Sequence, residues 1–431
     1  MLLTTLLLAL LPQADTGSPY DLTGAVEVVE DQLRVLQGDV AVLVHQNGQE
    51  LLRYSAGEIA PDTRVRLASL SKTVSAGVIL SLVDSGELAL DETLAEGLPK
   101  LFGGKEVGQP TLLDCWSMRH GIDTLVPFEN LKTFGLLASV AAIARQGELA
   151  FEPGTKLDYD GAGMQATALI ATKRTGLDWE ELARERVFGP CGMDGADYGQ
   201  FGKNPAVAGG LRATAEEIMA YADMVLSGGL VGEERVLSEA SVELLFTDHT
   251  AGLPVRGVPF PDELPDNPDA AMPTYGFGDW ILAKDAETGH VEEVFGAGAW
   301  GSFVWLDRRR GLSAVLIVDV PAASRRSLDA AMGLFRELRG AVEAKQASGL
   351  AATPTDEGQV ALTWEAVEGA SSYRVVGSKE PLRDIFDLAA ATTLYEGEAT
   401  TVRTEAFEHH AVLASFEGHE NTALVPGSNA N

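Results

Sequence analysis

Residues 66–80 read RLASLSKTVSAGVIL: Ser69 and, three positions on, Lys72 lead into an unbroken run of small and apolar side chains. Three residues apart on a helix means one shared face and side chains close enough to touch. A serine hydroxyl is a poor nucleophile until a neighbouring base takes its proton, and a neutral lysine amine within hydrogen-bond reach can do so. The run from Ser71 to Leu82 is apolar nearly all round, the pattern of a helix buried in the middle of a protein, and Gly86 is placed to end it. This stretch therefore predicts a central helix with a chemical pair at its start. Four residues with two fixed positions are a weak pattern by themselves, so the surrounding segments carry the decision.

Outward from that helix, VAVLVHQNGQELLRYSAG (40–57) reads as two strands joined at Asn47-Gly48, a strong hairpin signal. SFVWLDRRRGLSAVLIVDV (302–320) gives two more strands around Arg308-Arg309-Arg310, read as a solvated turn. SRRSLDAAMGLFRELRGAVEAKQ (324–346) is an amphipathic helix with Leu328, Met332, Phe335 and Leu338 near one face. The expected fold class is α/β of the α+β kind: an antiparallel sheet flanked by helices over residues 20–344, with an all-helical subdomain. Composition then changes. ASGLAATPTDEG (347–358) is small, polar and Pro-containing, and residues 345–357 are read as a linker. Residues 358–428 alternate in short runs such as QVALTWEAV and ASSYRVVGSKE, the pattern of an all-β sandwich.

The whole chain has 431 residues, too many for one ordinary core, which agrees with this division. A formal charge of −31 excludes a nucleic-acid partner, because binding phosphates needs clustered Lys and Arg. Residues 1–14 begin MLLTTLLLALL, the length of a signal-peptide core, with Ala14 a small residue for cleavage before Asp15. The run is too short for a transmembrane span. A secreted or periplasmic location follows as the expectation. Two cysteines, Cys115 and Cys191, make no disulfide framework, and the seven histidines contain no HExxH, so no metal or cofactor is expected.

The segments around Ser69-Leu70-Ser71-Lys72 are similar, in order, to the serine beta-lactamase and penicillin-binding protein superfamily, nearest its class C beta-lactamase and esterase branch. GDVAVLVHQNGQELLRYSAGEIAPDTRVRLASLSKTVSAGVIL resembles the opening hairpin and nucleophile helix. TLLDCWSMRHGI stands where members end in His-Thr-Ser-Gly, here Met118-Arg119-His120-Gly121. FEPGTKLDYDGAGMQATALI resembles the Tyr-x-Asn segment, and FGAGAWGSFVWLDRRRGLSAVLIV the strand lining the site. The collinear agreement covers roughly 300 residues. Separately, the order VALTW, a Gly-Ala-Ser-Ser turn and YRV resembles a fibronectin type III domain, with Trp364 as its core tryptophan and Tyr373 on the next strand. Such modules imply contact with a protein or glycan.

The superfamily resemblance implies that Ser69 is the nucleophile, Lys72 its lysine and Tyr159 the tyrosine that shares proton transfer. It implies an oxyanion hole from the backbone N–H groups of Ser69 and Ala299. Two positions depart: Gly161 stands for the Asn of Tyr-x-Asn, and Gly296, followed by Ala297 and Gly298, for the cation of the strand motif. Gly161, Gly296, Gly298 and Trp300 are the implied substrate-binding positions, Trp300 as pocket wall or core. The missing cation is the one that attracts a substrate carboxylate; losing one charge-assisted contact costs about 1.5 to 3 kcal/mol and changes specificity more than chemistry. His120 reads as structural. Two functions remain open: a secreted serine hydrolase acting on an ester or amide (carboxylesterase, peptidase, beta-lactamase-like or penicillin-binding protein-like), and a beta-lactamase-fold binding or regulatory protein with weak or no turnover. An alpha/beta-hydrolase is disfavoured, since no Gly-x-Ser-x-Gly occurs.

Overall fold

The computed structural model describes residues 18–36, 39–259, 274–318, 324–355 and 359–424. The proposed signal segment, 1–14, lies outside them. No helix among the described residues is long and apolar enough to cross a membrane.

The hairpin forms at Asn47-Gly48, where both residues take positive φ (51° and 75°) and turn β1 (Val40–Gln46) tightly onto β2 (Gln49–Ala56). These join β3 (Thr274–Tyr275), β4 (Trp280–Lys284), β5 (Val291–Ala297), β6 (Phe303–Asp307) and β7 (Leu312–Ile317) in a seven-stranded sheet of order β3-β4-β5-β6-β7-β1-β2. Every pairing is antiparallel. Its inner strands are buried on both faces, so each face carries helices. On one side α1 (Thr23–Leu36) lies against the C-terminal helix of the domain, Ser324–Glu343, whose Phe335 stacks on Trp305 with ring centroids 4.7 Å apart. Leu328, Met332, Phe335 and Leu338 are all buried, as their spacing predicts. Because side chains alternate across a strand, the other face presents Val304, Ser313 and His45.

That second face holds the central helix α2 (Ser71–Asp84) and α5 (Ala215–Leu226). Asp223 of α5 receives hydrogen bonds at 2.7 Å from His45 and 3.0 Å from Ser313. Every α2 residue from Ser71 to Leu82 is buried. A helical region including α3 (Leu136–Gln146) and α4 (Ala162–Thr175) covers its remaining side. Both cysteines are buried free thiols; burial pushes that of Cys191 up to about 12 and that of Cys115 higher.

The C-terminal region is β-rich: a three-stranded sheet, Ala351–Pro354, Gln359–Thr363 and Thr401–Glu405, faces a four-stranded one built on Ser372–Ser378 and His409–Phe416. Trp364, Tyr373, Val375 and Phe416 fill the space between them. Two readings of the sequence need correction. Residues 351–354 belong to this sandwich rather than to a linker, because Ala351–Pro354 pairs along its whole length with Gln359–Thr363. The Arg308–Arg310 turn is buried, with Arg308 1% and Arg310 5% exposed, because the sandwich closes over it. Arg308 meets Asp384 at 3.2 Å, and Asn421 donates to the carbonyls of Val342 and Lys345 at the end of the last helix.

Candidate active site

The chain enters α2 through a short helical turn, Ala68–Leu70, in which Ala68 has φ of 46°, a conformation costly for a residue with a Cβ. The turn is held from both sides. Ser71 donates to the Ala68 carbonyl at 2.5 Å, and the Leu211 N–H donates to Ser71 Oγ at 3.0 Å. Ser69 is thereby left partly exposed at the head of an otherwise buried helix. One turn on, Lys72 is 4% exposed; its Nζ donates to Ser69 Oγ at 3.2 Å and to the Ala208 carbonyl at 2.9 Å.

The same Nζ stands 4.6 Å from the centroid of the Tyr159 ring. Tyr159 is fixed by its backbone N–H, which donates to the Gly257 carbonyl at 2.9 Å, and by stacking on Trp280 at 5.0 Å and edge contact with Tyr275 at 6.0 Å. Ser69, Lys72 and Tyr159, separated by up to 90 positions in the chain, converge on one point.

Across from this cluster, β5 ends beside the nucleophile turn. A Cβ on Gly298 would strike the Leu67 carbonyl oxygen, so only glycine lets the chain pass this close to the residue that leads into the nucleophile turn. Ala299 is exposed, and Trp300 is half-buried under the Arg66 guanidinium, 4.3 Å from its ring centroid. Gly296 faces inward: a Cβ there would collide with Thr73 Oγ1 and meet Asp279 Oδ1 at 3.1 Å. Gly161 precedes α4; a Cβ there would meet Ala208 Cβ at 3.0 Å and Glu129 Cγ at 3.4 Å, so neighbours already fill that side. His120 is buried, accepts the Ile122 N–H at 3.0 Å and lies 3.4 Å from the Asp160 carbonyl, bracing the segment that carries Tyr159.

Four groups at this site were not singled out from the sequence. Trp280 and Tyr275 wall Tyr159; the cluster TYGFGDW just before the site strand was an available signal. Glu129 and Asp279 are single acids in unremarkable contexts. Asp279 is 2% exposed and accepts a short hydrogen bond from Thr73 Oγ1; burial raises its carboxyl to about 7 against an ordinary 3.8. The folded chain therefore holds this proton up to about pH 7, whereas the unfolded chain releases it near 4, and Asp279 removes stability as pH rises between them. Asp279→Asn, which keeps the oxygen facing Thr73, is expected to flatten that fall. Urea midpoints at pH 5 and pH 8 check it: an equal pH 5-to-8 loss in both proteins would refute the assignment.

Comparison with known proteins adds the family. Residues 31–337 match the Beta-lactamase family model. The D-aminopeptidase of Cereibacter sphaeroides is 30% identical over 150 residues, 33% of this chain and 28% of that protein, so the chain spans less than a third of the D-aminopeptidase it matches. The 6-aminohexanoate-dimer hydrolase of Paenarthrobacter ureafaciens is 27% identical over 290 residues, 62% of this chain and 69% of that protein. A candidate beta-lactamase of Bacteroides dorei, 24% identical, superposes with a TM-score of 0.68 over 75% of this chain and 99% of its own, a likeness of fold. With the family model spanning the sheet, the central helix and the cluster at its head, this chain is a member of the Beta-lactamase family of serine hydrolases.

Proposed function

We propose that the protein hydrolyses an ester or amide through an acyl-enzyme on Ser69. One observation carries the reading: the buried Lys72 amine is 3.2 Å from an accessible Ser69 hydroxyl and over the Tyr159 ring. In the neutral form Lys72 takes the Ser69 proton as Oγ attacks the substrate carbonyl. The oxyanion rests on the N–H groups of Ser69 and Ala299. The carbonyl re-forms as the leaving group departs with the proton passed through Lys72 and Tyr159, and water, activated by the same pair, then releases the acid. No cofactor takes part. The amide hydrolases among the relatives support the reaction class.

Substrates lacking a carboxylate anchor fit best, since Gly296 offers no cation and turns toward Thr73 and Asp279. A p-nitrophenyl ester of a short acid is expected to show kcat/KM at least ten-fold above nitrocefin, the scale of one missing charge-assisted contact. Equal or faster nitrocefin turnover would contradict that. A fluorophosphonate probe followed by mass spectrometry tests the nucleophile: the adduct belongs on Ser69 and disappears in Ser69→Ala. The residues at Gly161 and Gly296 also favour a second reading, a binding protein that kept the fold without turnover; an unlabelled Ser69 would favour it. The C-terminal sandwich is read as a fibronectin type III-like module presenting a contact surface, and the chain as secreted.

A further inference from the structure

Besides Ser69 Oγ, Lys72 Nζ donates to the carbonyl of Ala208, and a carbonyl's place is decided by the backbone that carries it. That backbone is a strained turn. Ala206 takes a φ of 45°, costly for a residue with a Cβ. The N–H groups of Gly209 and Gly210 both donate to its carbonyl, at 2.7 and 2.6 Å, and a Cβ on Gly210 would strike the Pro205 carbonyl oxygen. Such a conformation persists only where its surroundings hold it. Two fully buried amides do so here, Asn204 at the start of the turn and Gln165 on α4. Gln165 Nε2 donates to Asn204 Oδ1 at 2.6 Å, and Gln165 Oε1 accepts the N–H of Val207, the residue before Ala208, at 3.1 Å. Asn204 Oδ1 also accepts the Ala206 N–H at 3.3 Å, and its Nδ2 donates to the Glu129 and Leu131 carbonyls at 2.7 and 3.3 Å. Every polar atom of the two side chains thus has a partner.

The pair joins segments that meet at the reacting cluster. Gln165 follows Tyr159 by six positions, and its backbone N–H donates to the Gly161 carbonyl at 3.0 Å. Asn204 grips the loop 124–135, and the Val207 carbonyl accepts from Ser75 Oγ of α2 at 2.7 Å. A fully satisfied network of buried amides is rigid. A neutral amine has one lone pair, and it works as a base only when that lone pair faces the hydroxyl. Anchoring one Nζ–H on a fixed carbonyl leaves the lone pair for Ser69 Oγ, and the ammonium formed by proton transfer keeps the same acceptor. We infer that Gln165 and Asn204 are positioning residues for the acyl transfer, acting through the Ala208 carbonyl to aim Lys72 at Ser69. This rests on the hydrolase reading for its chemical step, whereas the placing of the amine can be measured without turnover.

Crystal structures of the full-length parent and Gln165→Met proteins measure that placing directly. Methionine fills the glutamine's volume but offers Val207 no acceptor, so the Ala208 carbonyl is expected to leave hydrogen-bond distance of Lys72 Nζ, from 2.9 Å to beyond about 3.5 Å. With a p-nitrophenyl ester, kcat should fall roughly ten- to a hundred-fold while KM stays within about two-fold, the scale of a misplaced reacting group. In the Lys72→Met background the same substitution should slow labelling of Ser69 by a fluorophosphonate less than about two-fold, because the group it positions is gone. A general loosening of the site would slow both backgrounds alike. An unmoved carbonyl, an unchanged kcat or equal losses in the two backgrounds overturns the inference. Should Gln165→Met not fold, Gln165→Asn, which draws the same amide back by one methylene, replaces it under the same criteria. If Ser69 of the parent is never labelled, the hydrolase reading falls, and the displacement of the carbonyl alone decides whether the pair places Lys72.

Discussion

Lys72→Met is expected to lower kcat/KM for a p-nitrophenyl ester by about a hundred- to ten-thousand-fold, the range a positioned general base supplies. Methionine fills the same buried channel without a proton-accepting nitrogen, so the fold has no reason to change. The Lys72 amine is hydrogen-bonded to Ser69 Oγ, and it also meets the Ala208 carbonyl and the Tyr159 ring. Labelling of Ser69 by a fluorophosphonate should slow in step, and a circular dichroism spectrum should match the parent. A loss smaller than ten-fold would mean that Lys72 is a structural amine. Tyr159→Phe divides the roles further: phenylalanine keeps the ring beneath Nζ and against Trp280, so only the hydroxyl is lost.

Arg310→Met is expected to be the most damaging change away from the site, destabilising the protein by about 3 to 5 kcal/mol. The Arg310 guanidinium sits among three carboxylates: Asp307 at 2.6 Å, Glu293 at 3.2 Å and Glu343 at 2.5 Å. Asp307 and Glu293 are both at most 1% exposed. Burial drives the Asp307 carboxyl up, and Arg310 is the main charge opposing it. Removing the cation leaves Glu293 with Arg339 and the Trp305 indole N–H, and Asp307 without a positive partner of its own. An uncompensated buried charge costs more than the pair contributed. Urea unfolding reads the effect as a lower midpoint; a midpoint within a few tenths of a molar of the parent would show that the turn tolerates the loss.

The network around Arg310 also marks where sequence stopped being informative. Three arginines in a row between two strands look solvated when only their neighbours in the chain are considered. Asp384 and Glu243, which meet Arg308, lie more than 60 positions away. Likewise Ala351–Pro354 has a linker's composition, and becomes a strand only because Gln359–Thr363 supplies its hydrogen bonds. The Ala208 carbonyl that holds Lys72 carries no side-chain signature at all.

What the sequence by itself determined was local: the Asn47-Gly48 turn, the buried helix from Ser71, the apolar face from Leu328 to Leu338, and a serine and lysine one turn apart. These follow from backbone preferences and from a periodicity of a few residues, which a linear reading can see. Tertiary structure decided which distant groups surround that pair. Glu129 beside Gly161, Asp279 beneath Gly296, and the aromatic walls of Tyr159 arrive from four separate segments. Burial then sets the charge of those two acids, because desolvation depends on what packs around a carboxyl and not on its neighbours in the chain.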